Sequence, residues 1–161
     1  MNKAIFLDRD GVINNPKNHY YVYRIEDFEI NKGLVEALKV LQDRDYMLIV
    51  ITNQGGISKK EYSIEEVELV HRYMEDELAK QGIELTAVYY CPHHTKNEAC
   101  LCRKPEPLMI EKAMARLDID PDLSWFIGDK KSDVEAGKRA GVNTIKIRKN
   151  QDLRKILKKI S

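Results

Sequence analysis

Five short apolar runs, each separated from the next by a stretch of helical periodicity, constrain this chain more than any other feature. The runs are residues 3–8 (with Ile5, Phe6 and Leu7), 47–52, 85–91, 124–128 and 142–147. None alternates strictly between apolar and polar residues, so each reads as a strand covered on both faces, the pattern of a parallel sheet. Between them, Leu34, Leu38 and Leu41 share one helical face. Ser63 and Glu66 have the spacing of a capping box and open a helix striped by Val67, Val70, Met74 and Leu78, with Gly82 as its stop. Ile110, Ala113, Met114 and Leu117 form the next stripe. Ser132 and Glu135 repeat the capping spacing, and Gly141 is placed to end that helix. Leu153, Ile156, Leu157 and Ile160 predict an amphipathic terminal helix. The stripes read as core faces. The alternation predicts an α/β protein: three layers, doubly wound, with a mainly parallel sheet and right-handed crossovers.

A chain of 161 residues is expected to make one domain over residues 1–161. Its composition, 43% hydrophobic and 33% charged, argues for a globular protein and against disorder. A net charge of +1 gives no electrostatic reason to expect nucleic acid or a membrane surface as partner. The longest apolar runs, such as residues 47–51, fall far short of the ~20 residues of a membrane span. Asp8, Arg9 and Asp10 interrupt the first apolar run, which argues against a signal peptide. The three cysteines all lie within residues 91–102, an odd and clustered set unlike a secreted disulfide framework. The expectation is a cytoplasmic monomer acting on a small molecule.

In open α/β sheets ligands sit beyond the carboxyl ends of the strands, and the unusual polar residues of this chain gather there. The first run ends in Asp8-Arg9-Asp10-Gly11 and the second in Thr52-Asn53-Gln54-Gly55. The third leads into Cys91-Pro92-His93-His94, and the fourth into Gly128-Asp129-Lys130-Lys131-Ser132-Asp133. Two segments without an obvious element, residues 9–32 and 92–106, border the same rim. Three carboxylates there, Asp8, Asp10 and Asp129, repel one another unless a hard cation binds or a proton is held. Mg²⁺ suits such a set, because it accepts a few carboxylates and leaves room for phosphate oxygens. Thr52 and the backbone N–H groups after it can donate to phosphate, and Lys104 adds a cation. The ensemble is that of a phosphoryl-transfer site. The chain has no P-loop lysine motif and no Gly-x-Gly-x-x-Gly stretch, which disfavours nucleotide-dependent transfer.

Asp8-Arg9-Asp10-Gly11, Thr52, Lys104 and Gly128-Asp129 with Asp133 resemble, in order, the four motifs of haloacid dehalogenase superfamily phosphatases. Residues 7–11, 51–56, 91–94, 102–105 and 128–133 are similar to the branch holding D-glycero-D-manno-heptose 1,7-bisphosphate phosphatase and histidinol-phosphate phosphatase. The resemblance implies a Rossmann-like, capless fold and a set of roles. Asp8 is the nucleophile that forms an aspartyl-phosphate. Asp10 protonates the leaving oxygen and then serves as base for the hydrolytic water. The side chains of Asp8 and Asp129 and the carbonyl of Asp10 hold Mg²⁺. Thr52 and Lys104 stabilise the transferring group, and Asp133 orients Lys104 or metal-bound water. Asn53 and Arg103 contact substrate, and Lys130 lies beside the metal.

Cys91, Cys100 and Cys102 with one histidine make a tetrahedral Cys₃His complement for structural Zn²⁺. Three reduced thiols beside a loop histidine are the plainer reading. The resemblance implies a zinc loop over residues 91–102, with His93 rather than His94 as the fourth ligand. That loop runs straight into Arg103 and Lys104, so zinc would order two cations of the site.

Neither the interval from Asp10 to Thr52 nor that from Thr52 to Lys104 leaves room for a cap domain. The mouth is expected to be framed by loops 14–23, 55–62 and 93–104. Tyr20, Tyr21 and Tyr23 could pack a sugar or an imidazole there, or serve structure alone. Lys59 and Lys60 could meet a remote anionic group, or simply be solvated. The wording of the motifs favours the 7-phosphate of the heptose bisphosphate as the group removed. Only six residues separate His93 from Cys100, a spacing nearer the histidinol-phosphate form. A non-catalytic, zinc-stabilised binding module is the alternative from another class, and it is disfavoured by the presence of Asp8, Asp10 and Lys104.

Overall fold

The computed structural model describes residues 1–161. Its five strands all pair in parallel, in the order β3-β2-β1-β4-β5. In chain order the elements are β1 (Lys3–Leu7), α1 (Leu34–Asp43), β2 (Tyr46–Asn53), α2 (Ile64–Lys80), β3 (Ala87–Cys91), α3 (Leu108–Leu117), β4 (Trp125–Gly128), α4 (Lys131–Ala140) and β5 (Asn143–Lys146). Each predicted strand is present, with ends moved by a residue or two.

β1 shows how the layers arise. Its period of two sends Ile5 and Leu7 to one face and Ala4 and Phe6 to the other. The first face packs on α1 and α2 through Leu34, Leu38, Leu41, Val70, Met74 and Leu78. The second packs on α3 and α4 through Met109, Ile110, Ala113 and Ala136. Burying each such leucine or isoleucine contributes about 1.5–3 kcal/mol. Full cover holds for the inner strands only: β3 is half-buried along most of its length and β5 is largely exposed. Both are sheet edges, a position that a run of residues cannot announce by itself.

Two helix expectations need correcting. Ser132 and Glu135 do not cap α4, which begins at Lys131 and so holds Ser132 in its first turn. The start is held instead by the Asp133 carboxylate, which accepts from the backbone N–H of Lys130 at 3.1 Å. The terminal segment Leu153–Lys159 is a 3₁₀ helix, not an α-helix. Leu153 and Ile156 are three residues apart and both buried, which is the period of a 3₁₀ turn. The Ser63–Glu66 capping box forms as read, and Gly141 ends α4 in the left-handed conformation.

The strand order places the functional rim. The chain runs outward from β1 to β3, then crosses back to β4 on the other flank of β1. The topological switch point therefore lies between β1 and β4, where ligands bind in such sheets. Leu7 is level with Val50 and with Ile127, so the carboxyl ends of β1, β2 and β4 open on one crevice. Segment 9–32 lacks regular elements apart from a short 3₁₀ turn at Ile25–Asp27. It is nevertheless anchored, because Val12, Ile13, Val22 and Phe28 join the core under α1 and α2.

Candidate active site

Asp8 directly follows β1 and Asp129 directly follows β4, so they flank the switch point from both sides. Lys104 reaches them from the loop before α3. Its Nζ donates to Asp8 Oδ1 at 2.9 Å and to the Ile51 carbonyl at 2.8 Å, and pairs with Asp133 Oδ1 at 2.7 Å. Asn53, at the end of β2, clasps the Lys104 backbone: its Nδ2 donates to the carbonyl at 3.1 Å and its Oδ1 accepts from the N–H at 2.9 Å. A loop lysine is thereby fixed to the sheet.

The charges do not balance. Asp8, Asp129 and Asp133 present oxygens within 4.8 Å of one another, against one ammonium. Burial pushes the Asp8 carboxyl up to about 8, with Asp133 and Asp129 adding to the rise while Lys104 opposes it. Burial and Asp133 likewise raise Asp129, whose Oδ1 is buried with no hydrogen-bond partner. For Lys104, burial disfavours the charge, but Asp8 and Asp133 outweigh it and hold the ammonium above its ordinary range. An all-oxygen donor set with an orphaned buried carboxylate oxygen fits a hard divalent cation. Gly11 leaves the space free: it has φ +90°, and a Cβ there would lie 2.5 Å from Asp129 Oδ2.

Asp10 lives in a different environment. Its Oδ1 accepts from Arg9 Nε (3.2 Å), Arg9 Nη2 (2.9 Å) and Asn14 Nδ2 (2.9 Å). Its Oδ2 accepts from Arg9 Nη2 at 3.1 Å and Gln54 Nε2 at 3.3 Å. Burial works to raise its pKa, but Arg9 and these donors outweigh burial and hold it below the ordinary range. Gln54 also donates to Thr52 Oγ1 at 2.9 Å and accepts from Tyr62 Oη at 2.6 Å, so it ties Thr52 to Asp10.

Beside these groups opens a cleft of about 650 Å³. Asp10, Asn53, Arg103, Lys104, Asp129 and Lys130 line it, as do Tyr20 and Tyr21. Tyr23 lies elsewhere, stacked on Tyr62 with ring centroids 5.1 Å apart. Lys59 sits 5.9 Å from the ring centroids of Tyr20 and Tyr21. Lys149, just past β5, also lines the cleft. No sequence motif marks this fifth strand end.

Cys91, His93, Cys100 and Cys102 bring their ligand atoms within 4.8 Å of one another. His93 Nδ1 lies 3.4 Å from Cys91 Sγ and 3.3 Å from Cys102 Sγ, and Cys100 Sγ is 3.7 Å from Cys91 Sγ. The Cys₃His donor set is that of one tetrahedral Zn²⁺, but Cys91 Sγ and Cys102 Sγ, 2.7 Å apart, would have to separate to roughly 3.7 Å to take Zn–S bonds of about 2.3 Å. His94 turns away into the cleft, where its Nδ1 accepts from the Lys96 N–H. The Arg103 guanidinium donates to the His93 carbonyl at 3.1 Å, which joins the cysteine loop to the cleft wall.

Comparison with known proteins agrees with this geometry. The HAD-hydrolase-like family model matches residues 101–161. Over 154 residues the chain is 42% identical to D-glycero-β-D-manno-heptose-1,7-bisphosphate 7-phosphatase of Pasteurella multocida (strain Pm70), covering 92% of this chain and 83% of that one. It belongs to the haloacid dehalogenase-like phosphatases. A second relative in this family, D-glycero-α-D-manno-heptose-1,7-bisphosphate 7-phosphatase of Campylobacter jejuni, is 45% identical over 143 residues, covering 89% of this chain and 80% of that one. Among solved phosphatases, D,D-heptose 1,7-bisphosphate phosphatase from B. bronchiseptica, complexed with magnesium and phosphate, superposes with a TM-score of 0.85 at 29% identity. The match covers 98% of this chain and 86% of that one.

Within this phosphatase frame no motif gives a role to Arg9, Asn14 and Gln54, which touch Asp10, or to Tyr62 and His71, which back Gln54 and Arg9. One signal was available: His71 lies four residues after Val67 and three before Met74, on the apolar stripe of α2. A histidine there needs a buried partner. Which partner is a matter of tertiary structure.

Proposed function

We propose that this phosphatase removes the 7-phosphate of D-glycero-D-manno-heptose 1,7-bisphosphate through an aspartyl-phosphate on Asp8. The observation that carries the reading is the Lys104 ammonium held between Asp8 and Asp133 at the switch point, with the unpartnered Asp129 oxygen beside them. The names of the relatives support the substrate. An Asp8 oxygen attacks phosphorus as the bond to the sugar oxygen breaks, and Asp10, ionised in the free protein and taking up a proton from solvent as the phosphate dianion arrives beside it, gives that oxygen the proton. Water then attacks the phosphoryl group, Asp10 takes its proton, and phosphate leaves with Asp8 restored. Covalent capture splits one difficult step into two. Lys104 and Thr52 face the phosphoryl charge, while Asn53 acts chiefly by holding Lys104. Arg103 and Lys130 contact the remainder of the substrate.

The side chains of Asp8 and Asp129 and the carbonyl of Asp10 would hold Mg²⁺. When bound, Mg²⁺ supplies positive charge that keeps Asp8 ionised and offsets the repulsion between a carboxylate and a phosphate dianion. Asp133 keeps Lys104 in place. Cys91, His93, Cys100 and Cys102 would hold a structural Zn²⁺. We place the reaction in the cytoplasm, in a monomer whose residues 1–161 form one phosphatase domain. No helix is long and apolar enough to cross a membrane.

The test is Mg²⁺-dependent phosphate release from both anomers of the heptose bisphosphate and from histidinol phosphate. A kcat/KM on one heptose anomer at least about tenfold above that on histidinol phosphate is expected, the discrimination of a few well-placed contacts. A preference for histidinol phosphate would overturn the substrate, and no release from any of them would overturn the activity.

A further inference from the structure

Arg9 is fully buried, yet it is neither a metal ligand nor a lining residue of the cleft. Its guanidinium is held on three sides. One side forks onto Asp10. A second meets the Val22 carbonyl, to which Nη2 donates at 2.7 Å. The third meets His71 on α2, with Nη1 3.1 Å from Nε2. A guanidinium has donors only. His71 Nε2 must therefore accept, and the ring proton must sit on Nδ1. Burial and the neighbouring Arg9 push the His71 pKa down to about 3, so the ring stays neutral and keeps that lone pair. The Tyr90 ring lies edge-on to it with centroids 5.6 Å apart, which restricts rotation of the imidazole.

We infer that His71, acting through Arg9, is a positioning residue for proton transfer by Asp10. The inference rests on the role given to Asp10 in the proposed function. The chain of contacts runs from helix α2 to a buried arginine to the carboxylate. Asp10 follows β1 by three residues and sits in a loop, so its orientation needs support from outside the sheet. Without His71, one buried Nη1 donor loses its partner and the fork is free to swing, carrying Asp10 with it. Asn14 and Gln54 still hold the carboxylate, so the loss is partial.

The role has a chemical signature. The sugar oxygen of the heptose bisphosphate needs a proton to leave, whereas p-nitrophenolate leaves as a stable anion. kcat/KM covers the steps through departure of the leaving group, so it reports on Asp10 as acid and excludes its later duty as base. With Mg²⁺ saturating, His71→Leu is expected to lower kcat/KM on the heptose bisphosphate by about 10–100-fold, the scale of a small displacement of a catalytic group. On p-nitrophenyl phosphate it should stay within about threefold of wild type, since a proton donor contributes little there. His71→Gln, whose Oε1 can accept from Arg9, should restore most of the lost activity. Should His71→Leu not fold, His71→Asn, polar but too short to reach Arg9, carries the same two-substrate comparison. Equal loss on both substrates, or no loss on either, overturns the inference and leaves the phosphatase reading standing. A wild-type protein inactive on both overturns the two together.

Discussion

The carboxylate pocket and the cysteine loop each gather metal-ligating atoms within 4.8 Å, but they are built on different foundations. Asp8 and Asp129 follow inner strands of the sheet, and Lys104 is clasped by Asn53 at the end of a third. The cysteine set spans a segment with no helix or strand after β3, and of its four ligands only Cys91 is fully buried. One site is positioned before any ion arrives. The other is held more thinly, by the packing of Cys100 and Cys102 on the core and by hydrogen bonds from Asn97 to Ser58 and from Arg103 to the His93 carbonyl, so an ion there would add a large share of its order. The pocket should therefore lose chemistry without losing structure, and the loop should lose structure first and chemistry as a consequence.

The sharpest test of that contrast is Asp8→Asn. Turnover should fall by about 10⁴-fold or more, as when an enzyme loses its nucleophile. Circular dichroism and the melting profile should remain those of a folded protein. Near-normal phosphate release would remove Asp8 from its role.

Lys104→Met should come next, at about 3 kcal/mol of transition-state stabilisation, or roughly 10²–10³ in kcat. The loss should appear in kcat more than in KM, because the ammonium acts on charge that develops during transfer. A change confined to KM would reduce Lys104 to a binding group.

Removing the proposed zinc with a selective chelator, or by Cys102→Ser, should lower activity by roughly 10–100-fold by displacing Arg103, whose guanidinium holds the His93 carbonyl. Added Mg²⁺ alone should not restore it. Amide exchange should quicken over residues 92–103 and stay slow in β1, β2 and β4. Uniform loss of protection would erase the distinction between the two regions, and full activity without zinc would remove the loop from the site altogether.

The last effect leaves turnover aside and concerns stability against pH without divalent cations. The folded Asp8 carboxyl titrates at about 8, against 3.8 for its ordinary value. Between these values the folded protein binds more protons than the unfolded chain, so stability declines as pH rises. The contribution is complete below pH 3.8 and is lost through about 8. Melting temperatures in chelator should fall steadily across this window. The fall should be shallower in Asp8→Asn and in wild type with Mg²⁺. A slope unchanged by either would mean that Asp8 is not the titrating group.

The legible part of this molecule is what local pattern specifies. Leu34, Leu38 and Leu41 could mark α1 because a helix brings residues three and four apart onto one face whatever it packs against. Ser63 and Glu66 could mark the start of α2 because a capping box closes within four residues. Asp8, Asp129 and Lys104 were found as candidates because motif order and strand ends are properties of the chain. The illegible part is contact across long separations. Asp8 and Lys104 meet over 96 residues, and Arg9 and His71 over 62. Nothing beside Arg9 says that its guanidinium turns inward to Asp10 and α2 instead of outward to water. The cap of α4 escapes local spacing for the same reason. Ser132 has the right local spacing, but the helix start went to Asp133, a carboxylate held from outside the helix by Lys104.

The sequence by itself determined the order of elements, the layering of the sheet and the residue types at its carboxyl edge, since these follow from periodicity over a few residues. Only the tertiary structure decided that His93 joins the thiols while His94 faces the cleft, that Asn53 holds Lys104, and that a histidine on α2 meets the buried Arg9 beside Asp10. Those choices depend on which distant side chain is left without a partner once the core has closed, and a linear chain does not carry that information locally.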